Sequence, residues 1–122
     1  MATTFAVPDG RVAMAATLYT GNGSTQTISN AINGVGFQPD FVWVKARNNI
    51  GSHQLIDSVR GIPLFLFSDA TAAESSRPNS FTSFNSNGYT VGSSSDGNTN
   101  LNTYTYVGWQ WKAGGTAVSN TA

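Results

Sequence analysis

The chain has no cysteine, which removes disulfide frameworks and thiolate metal centres from consideration. It has little charge, six Lys plus Arg against six Asp plus Glu in 122 residues. That balance leaves no electrostatic footprint for nucleic acid or an anionic membrane surface. No apolar run approaches the ~20 residues that span a bilayer. Residues 1–10 lack the basic segment and apolar core of a secretion signal. These absences predict a protein made in a cytoplasm, soluble there, with neither nucleic acid nor membrane as partner. Any partner is then recognised by shape.

What is present is glycine, thirteen of it, with abundant Ser, Thr and Asn and an aromatic share of 11% that exceeds the charged share of 10%. Aromatic and β-branched runs broken by Gly and Asn clusters predict short strands and turns. One domain is expected at this length, burying roughly two thirds of the unfolded chain's surface. The organising stretch is residues 37–47, Phe-Gln-Pro-Asp-Phe-Val-Trp-Val-Lys-Ala-Arg. Phe41, Trp43 and Lys45 alternate against Val42, Val44 and Ala46, because successive strand side chains point to opposite faces. Both faces are apolar up to the lysine, so this strand is expected to be central and covered on both sides, by a packed sheet or by a neighbouring subunit.

Residues 11–20 alternate in the same way, and Gly21-Asn22-Gly23 followed by residues 25–29 predicts a hairpin return. Residues 104–112 place Thr105, Val107, Trp109 and Trp111 on one face and Tyr104, Tyr106, Gly108 and Gln110 on the other, a second central strand. Residues 81–84 and 89–91 flank Asn85-Ser-Asn-Gly88 as a further hairpin. The apolar run at 62–67 again implies cover on two faces, and residues 70–74 are the one place for a turn of helix. About eight short strands without a long amphipathic helix predict an all-β fold, an antiparallel β-sandwich or jelly roll. Residues 11–112 form that domain, 1–10 an extended N-terminal arm, and 113–122 a Gly/Ser/Thr-rich tail.

The residue types of a catalytic triad occur at Ser52, His53 and Asp57, but no nucleophile elbow accompanies them, and adjacent strand residues point apart. Asp96, Asn98 and Asn100 imitate the start of a calcium loop, yet its sixth and twelfth places hold Leu101 and Val107 instead of Gly and Glu. Gly21-Asn-Gly23 is not followed by a helix, as a phosphate loop requires. Asp40, Asp57 and Asp69 lie beside turns, where pairing with Arg47, Arg60 or Lys45 accounts for them. No catalytic, cofactor or metal residue is therefore assigned. Trp43, Trp109, Trp111, Tyr104 and Tyr106 sit at core spacing, which predicts burial; tryptophans exposed on one sheet face would form a flat aromatic platform instead.

Four blocks together carry a resemblance: residues 36–47; His53 with Asp57-Ser-Val-Arg-Gly61; residues 81–92; and Tyr106-Val-Gly-Trp-Gln-Trp-Lys-Ala-Gly-Gly115. In this order they resemble a module of tailed-bacteriophage virion proteins, and residues 5–16 are similar to the opening of such proteins. The resemblance implies a lectin-like or jelly-roll sandwich with a structural role and no catalytic residues. Similar proteins are often longer, so the short chain suggests a capsid decoration or cement protein, or the base of a head fibre. The expected partners are the major capsid protein or another virion protein and further copies of the chain, in a trimer on the capsid exterior. Phe5, Val7, Pro8, Trp43, Trp109 and Trp111 are the expected assembly contacts. The alternative is a carbohydrate-binding module of a tail fibre for a host glycan, with Tyr104, Tyr106, Asp96, Asn98 and Asn100 as contacts.

Overall fold

The computed structural model describes residues 9–113. Residues 1–8 and 114–122, most of the expected arm and tail, including Phe5, Val7 and Pro8, lie outside the described residues. A short 3-10 turn, Gly10–Val12, is capped by the Asp9 carboxylate and leads into nine strands. They are β1 Met14–Thr20, β2 Gln26–Ser29, β3 Phe41–Ala46, β4 Gln54–Asp57, β5 Leu64–Phe67, β6 Ser75–Ser76, β7 Phe81–Asn85, β8 Gly88–Val91 and β9 Thr105–Trp111. Six form one antiparallel sheet in the order β1-β9-β3-β4-β5-β6 and three form another, β2-β8-β7. The fold is an all-β sandwich.

Strands β3 and β9 lie side by side in the middle of the larger sheet, the position their two-sided apolar character predicts. The β7–β8 pair turns through Ser86-Asn87 as expected. Between the sheets, Val42, Val44 and Ala46 of β3, Ile56 of β4, Phe65 of β5 and Tyr106 of β9 meet Ile28 of β2, Phe81 of β7, and Tyr89 and Val91 of β8. All are buried, each large side chain contributing about 1.5–3 kcal/mol.

Three expectations are corrected. Strands β1 and β2 are not a hairpin, because β1 pairs with β9 and β2 with β8, in different sheets. The glycines between them make an inter-sheet corner: Gly21 N–H donates to the Tyr104 carbonyl (2.8 Å) and Gly23 N–H to that of Asn100 (2.9 Å). Any Cβ at Gly21 would collide with the Leu101 carbonyl, so the residue serves a close approach of backbones and not a hairpin reversal. Second, residues 70–74 form no helix; all five are exposed, and a single turn with no face to bury does not hold itself. Third, among the described residues the packed sheet covers only one side of the larger sheet, which leaves the other expected cover, a neighbouring subunit, as the remaining candidate for the outer face. Leu66 in the β5 run, also expected to be covered, is exposed.

Which side is covered runs against hydrophobicity. The inward face of β9 carries Tyr106, Gly108 and Gln110, all buried, while Val107, Trp109 and Trp111 point outward and stay half-exposed. Strand β1 likewise turns Ala15, Thr17 and Tyr19 inward and leaves Met14 and Leu18 exposed, at 47% and 62%. The reason lies in the facing sheet. Tyr89 from β8 reaches so far across that its hydroxyl occupies the space over Gly108 where a Cβ would be. The Gln110 amide is satisfied there too, accepting from Asn30 Nδ2 (3.0 Å) and donating to Thr17 Oγ1 (3.0 Å).

Candidate functional site

The outward face of the six-stranded sheet is built from cross-strand rows. Register places Ala16, Trp109, Trp43, Leu55 and Leu66 in one line across β1, β9, β3, β4 and β5. The neighbouring row holds Met14, Trp111, Phe41 and Asp57. Directly opposed aromatic residues pack by their rings: Trp43 and Trp109 edge to face at 5.7 Å, Phe41 and Trp111 tilted at 5.1 Å. Such pairs stabilise the sheet by about 0.5–1.5 kcal/mol beyond area burial, and the four residues are left half-buried. Five strands at ~4.8 Å spacing make the apolar row about 19 Å across, so the patch is contiguous and not a scatter of single residues.

A shallow depression of ≈ 280 Å³ lies in this face, lined by Met14, Trp43, Trp109 and Trp111. Its walls offer no carboxylate, carboxamide or hydroxyl. Nearby polar side chains are already engaged: Trp43 Nε1–H donates to His53 Nδ1 (2.9 Å), and Lys45 Nζ donates to the carbonyls of Ala46 (2.6 Å) and Asn49 (2.8 Å). A sugar needs hydrogen-bond partners beside its stacking ring, whereas an apolar side chain needs only the cavity. The depression suits the latter.

The expectation that the three tryptophans are core residues is therefore corrected, and Tyr106 alone of the five aromatic candidates is fully buried. Its hydroxyl donates to the Gly97 carbonyl (2.8 Å) and accepts from Leu101 N–H (2.9 Å). Tyr104 is partly buried against the core. Two of the glycan contacts expected in the 92–102 loop, Asn98 and Asn100, are corrected as well, while Asp96 stays exposed. Asn98 and Asn100 are buried, and Asp96 is held by Arg77 and by Ser80 Oγ (3.3 Å) while its other oxygen caps Asn98 N–H (3.0 Å). Asn100 accepts from Asn22 N–H (3.1 Å) and Gln26 Nε2 (2.6 Å) and shares its own amide hydrogens among Asn22 Oδ1 and the carbonyls of Ser24 and Gly92. The loop is a clasp that ties β9's entry to the first inter-sheet corner. The calcium-loop-like spacing of Asp96, Asn98 and Asn100 singled out this cluster in the sequence but not its partners 74 and 78 residues away.

The triad residue types are not brought together for catalysis. The bond from Trp43 requires an unprotonated His53 Nδ1, and both Asp57 oxygens are taken by Arg60, through its N–H (2.7 Å) and Nε (2.6 Å). Asp57-Ser-Val-Arg-Gly61 is thus a self-closing turn, finished by Gly61 at φ 83. Of the three expected carboxylate pairings this one forms; Asp40 instead accepts from Ser58 Oγ (3.2 Å) and Asp69 from His53 N–H (3.1 Å). Burial pushes the Asp57 carboxyl up, but the backbone and side-chain hydrogen bonds from Arg60 outweigh it and hold it below the ordinary 3.8. A depressed carboxyl stabilises the fold above the unfolded value, and that contribution is lost as pH falls through the folded one. Asp57→Asn is therefore expected to flatten the loss of stability below about pH 4, read as urea midpoints against pH; an acid limb as steep as that of the unaltered protein would refute the assignment. Among the described residues no group of three or more His, Cys, Asp or Glu is placed to hold a metal ion, and no helix is long and apolar enough to cross a membrane.

The family model DUF7483, a domain of unknown function, matches residues 12–122 and so takes in every strand. The chain belongs to the DUF7483 family. No curated protein and no solved structure matches it. In this DUF7483 domain both the tryptophan face and the Asn100 clasp fall within the matched span.

Proposed function

We propose that this DUF7483 protein is a non-enzymatic structural component of a bacteriophage virion, a decoration or cement protein that grips the capsid exterior through the outer face of its larger sheet. One observation carries the protein-binding part of this reading: the sandwich buries Gly108, Gln110 and Gln54 between its sheets while leaving Trp43, Trp109, Trp111, Met14 and Leu18 toward the outside. Placing polar groups inside is costly unless they are bonded, and both amide atoms of buried Gln54 lack a partner among the described residues. A chain optimised only for its own stability would put the indoles inside. Tryptophan and methionine are the residues enriched at the centres of protein interfaces. The virion assignment rests on the sequence resemblance at residues 36–47, 57–61, 81–92 and 106–115.

The carbohydrate-binding alternative draws on the same half-buried, outward-facing indoles, since a flat aromatic face also stacks on a pyranose. It is the weaker reading, because the depression among them lacks polar partners and Asn98 and Asn100, two of the loop residues that would have supplied them, are buried.

The experiment is to purify intact heads of the phage that encodes the protein and measure its copy number, then add back Trp109→Arg and Trp43→Arg variants to heads lacking it. The protein is expected in stoichiometric amount on heads, with at least tenfold weaker rebinding by either variant; each variant also loses the Trp43–Trp109 ring pair, so its stability is expected to fall by about 1–2 kcal/mol while it stays folded at the temperature of the assay. Absence from purified heads would sink the virion reading. Undiminished rebinding by both variants would sink the choice of face.

A further inference from the structure

The chain holds a single histidine, and it stands at the rim of the tryptophan face. His53 immediately precedes β4, and because Gln54 is turned inward, alternation turns His53 outward with Leu55 and Asp57. Leu55 is the register partner of Trp43, so the histidine is a diagonal neighbour of that indole across the β3–β4 pair. The two rings stand edge to face at 5.6 Å, and Trp43 Nε1–H donates to His53 Nδ1 at 2.9 Å. The same indole meets Trp109 at 5.7 Å and walls the depression that Met14 and Trp111 complete.

That bond exists under one chemical condition. Nδ1 accepts through its lone pair, which places the proton of the neutral imidazole on Nε2. A second proton occupies that lone pair, and an imidazolium donates from both nitrogens and accepts from neither. The remaining edge positions of the ring are C–H, so no orientation of the protonated ring gives the Trp43 N–H a partner. An imidazole ordinarily takes up this proton between about pH 5 and 8, where carboxylates are ionised and lysine and arginine stay charged. The charged groups around the ring therefore keep their charge through the change. Asp69 accepts His53 N–H at 3.1 Å; loss of water raises its carboxyl, but hydrogen bonds from the His53 and Asp69 amides and from Ser52 outweigh that and hold it below 3.8. Lys45, the next outward residue of β3 after Trp43, gives its Nζ protons to the carbonyls of Ala46 and Asn49. Asp57, on the same outward side of β4, is closed on Arg60. Val107 and Trp109 of β9 carry no charge.

We propose that His53 is a proton-operated latch on Trp43: when Nδ1 takes up a proton, the indole loses its acceptor and leaves its seat, and the depression among Met14, Trp43, Trp109 and Trp111 loses a wall. The latch itself is independent of what the face binds. Its consequence for binding rests on the reading that a protein seats there. A partner fitted to the ordered depression has to reorder Trp43 in acid, and ordering a side chain at an interface lowers affinity. The face grips at neutral pH and holds less firmly once the imidazole is charged.

Nitrogen-15 spectra of the full chain test the latch. A scalar coupling between Trp43 Nε1 and His53 Nδ1 across the bond is expected at about pH 8 and is expected to vanish with the titration of the His53 ring, toward about pH 5. Nuclear Overhauser contacts between the Trp43 and Trp109 rings are expected to vanish with it, while the Ile56 and Tyr106 amides stay unchanged. In His53→Asn, whose Oδ1 accepts and does not titrate, the ring contacts are expected to persist through the same range. A coupling that survives protonation would overturn the proposal, as would an imidazole that takes up no proton down to about pH 5. Ring contacts that outlast the coupling, or that disappear in acid in His53→Asn as well, would overturn it too. Should that variant fail to fold, the coupling and ring contacts of the unaltered chain decide. On heads, rebinding of the unaltered chain is expected to be roughly three- to tenfold weaker in acid, the worth of one hydrogen bond, with no such change for His53→Asn. Equal rebinding at both pH values would overturn the consequence for binding, whereas no rebinding at either would overturn the reading of the face.

Discussion

Replacing Gly108 with alanine is expected to destabilise the domain by about 3 kcal/mol, the upper part of the range for forcing an extra methyl into a packed core. The added Cβ would land on the Tyr89 hydroxyl, with ring atoms Cζ at 3.0 Å and Cε1 at 3.3 Å behind it. Tyr89 cannot swing aside. Its ring is stacked on Phe81 at 5.2 Å and meets Tyr19 edge-on at 6.4 Å, in the centre of the inter-sheet cluster. A glycine in the middle of a strand usually marks such an approach. The Tyr89 hydroxyl is itself buried without a hydrogen-bond partner, so Tyr89→Phe alone is expected to be close to neutral. It should also recover part of the Gly108→Ala loss, because the nearest of the three clashing atoms is gone. Urea midpoints for the two single variants and the double variant measure this coupling. Simple additivity would mean that the alanine acts by some route other than the tyrosine.

Asn100→Ala is expected to cost a similar amount, about 3 kcal/mol, for a different reason. Asn100 is fully buried and joins Asn22, Ser24, Gln26 and Gly92. Alanine would strand the buried Gly92 carbonyl and take away the link that ties the exposed Asn22 and Ser24 backbone to the loop, and an unpaired buried group costs more than the bond it replaces contributes. The loss should be local as well as global. Proteolysis within residues 21–25 and 92–102 is expected to accelerate in the variant, followed by mass spectrometry of the fragments. Cleavage rates that scale only with overall stability would argue against a clasp.

These two residues also show where reading the chain succeeds and where it stops. Period-two alternation was enough to find β3 and β9, to place them centrally and to predict a sandwich, because a strand with apolar residues on both faces has few other homes. The same alternation could not say which face of β9 turns inward. Val107, Trp109 and Trp111 are the more hydrophobic set, and nothing local warns that the smaller set is buried. That choice is made by Tyr89, nineteen positions before Gly108, whose length demands a glycine opposite it. Gly21-Asn22-Gly23 misled in a related way. The dipeptide chemistry of a hairpin turn is genuine there, but the glycines are used for contact with residues 100–104, and long-range contacts leave no trace in a short window. Asn98 and Asn100, expected at the surface of the 92–102 loop, are buried instead, because asparagine satisfies backbone groups in corners as readily as it recognises a ligand.

The placement of the indoles has an optical corollary. The chain has three tryptophans, and all lie on one surface, whereas the aromatic residues of the interior are tyrosine and phenylalanine. Excitation selective for indole therefore observes that single side of the molecule and not the state of its centre. Emission would shift to the blue when a neighbour seats itself there, with no change in folding. Tyrosine emission and near-ultraviolet dichroism, fed by the stacked Tyr19 and Tyr106 pair, would follow the interior.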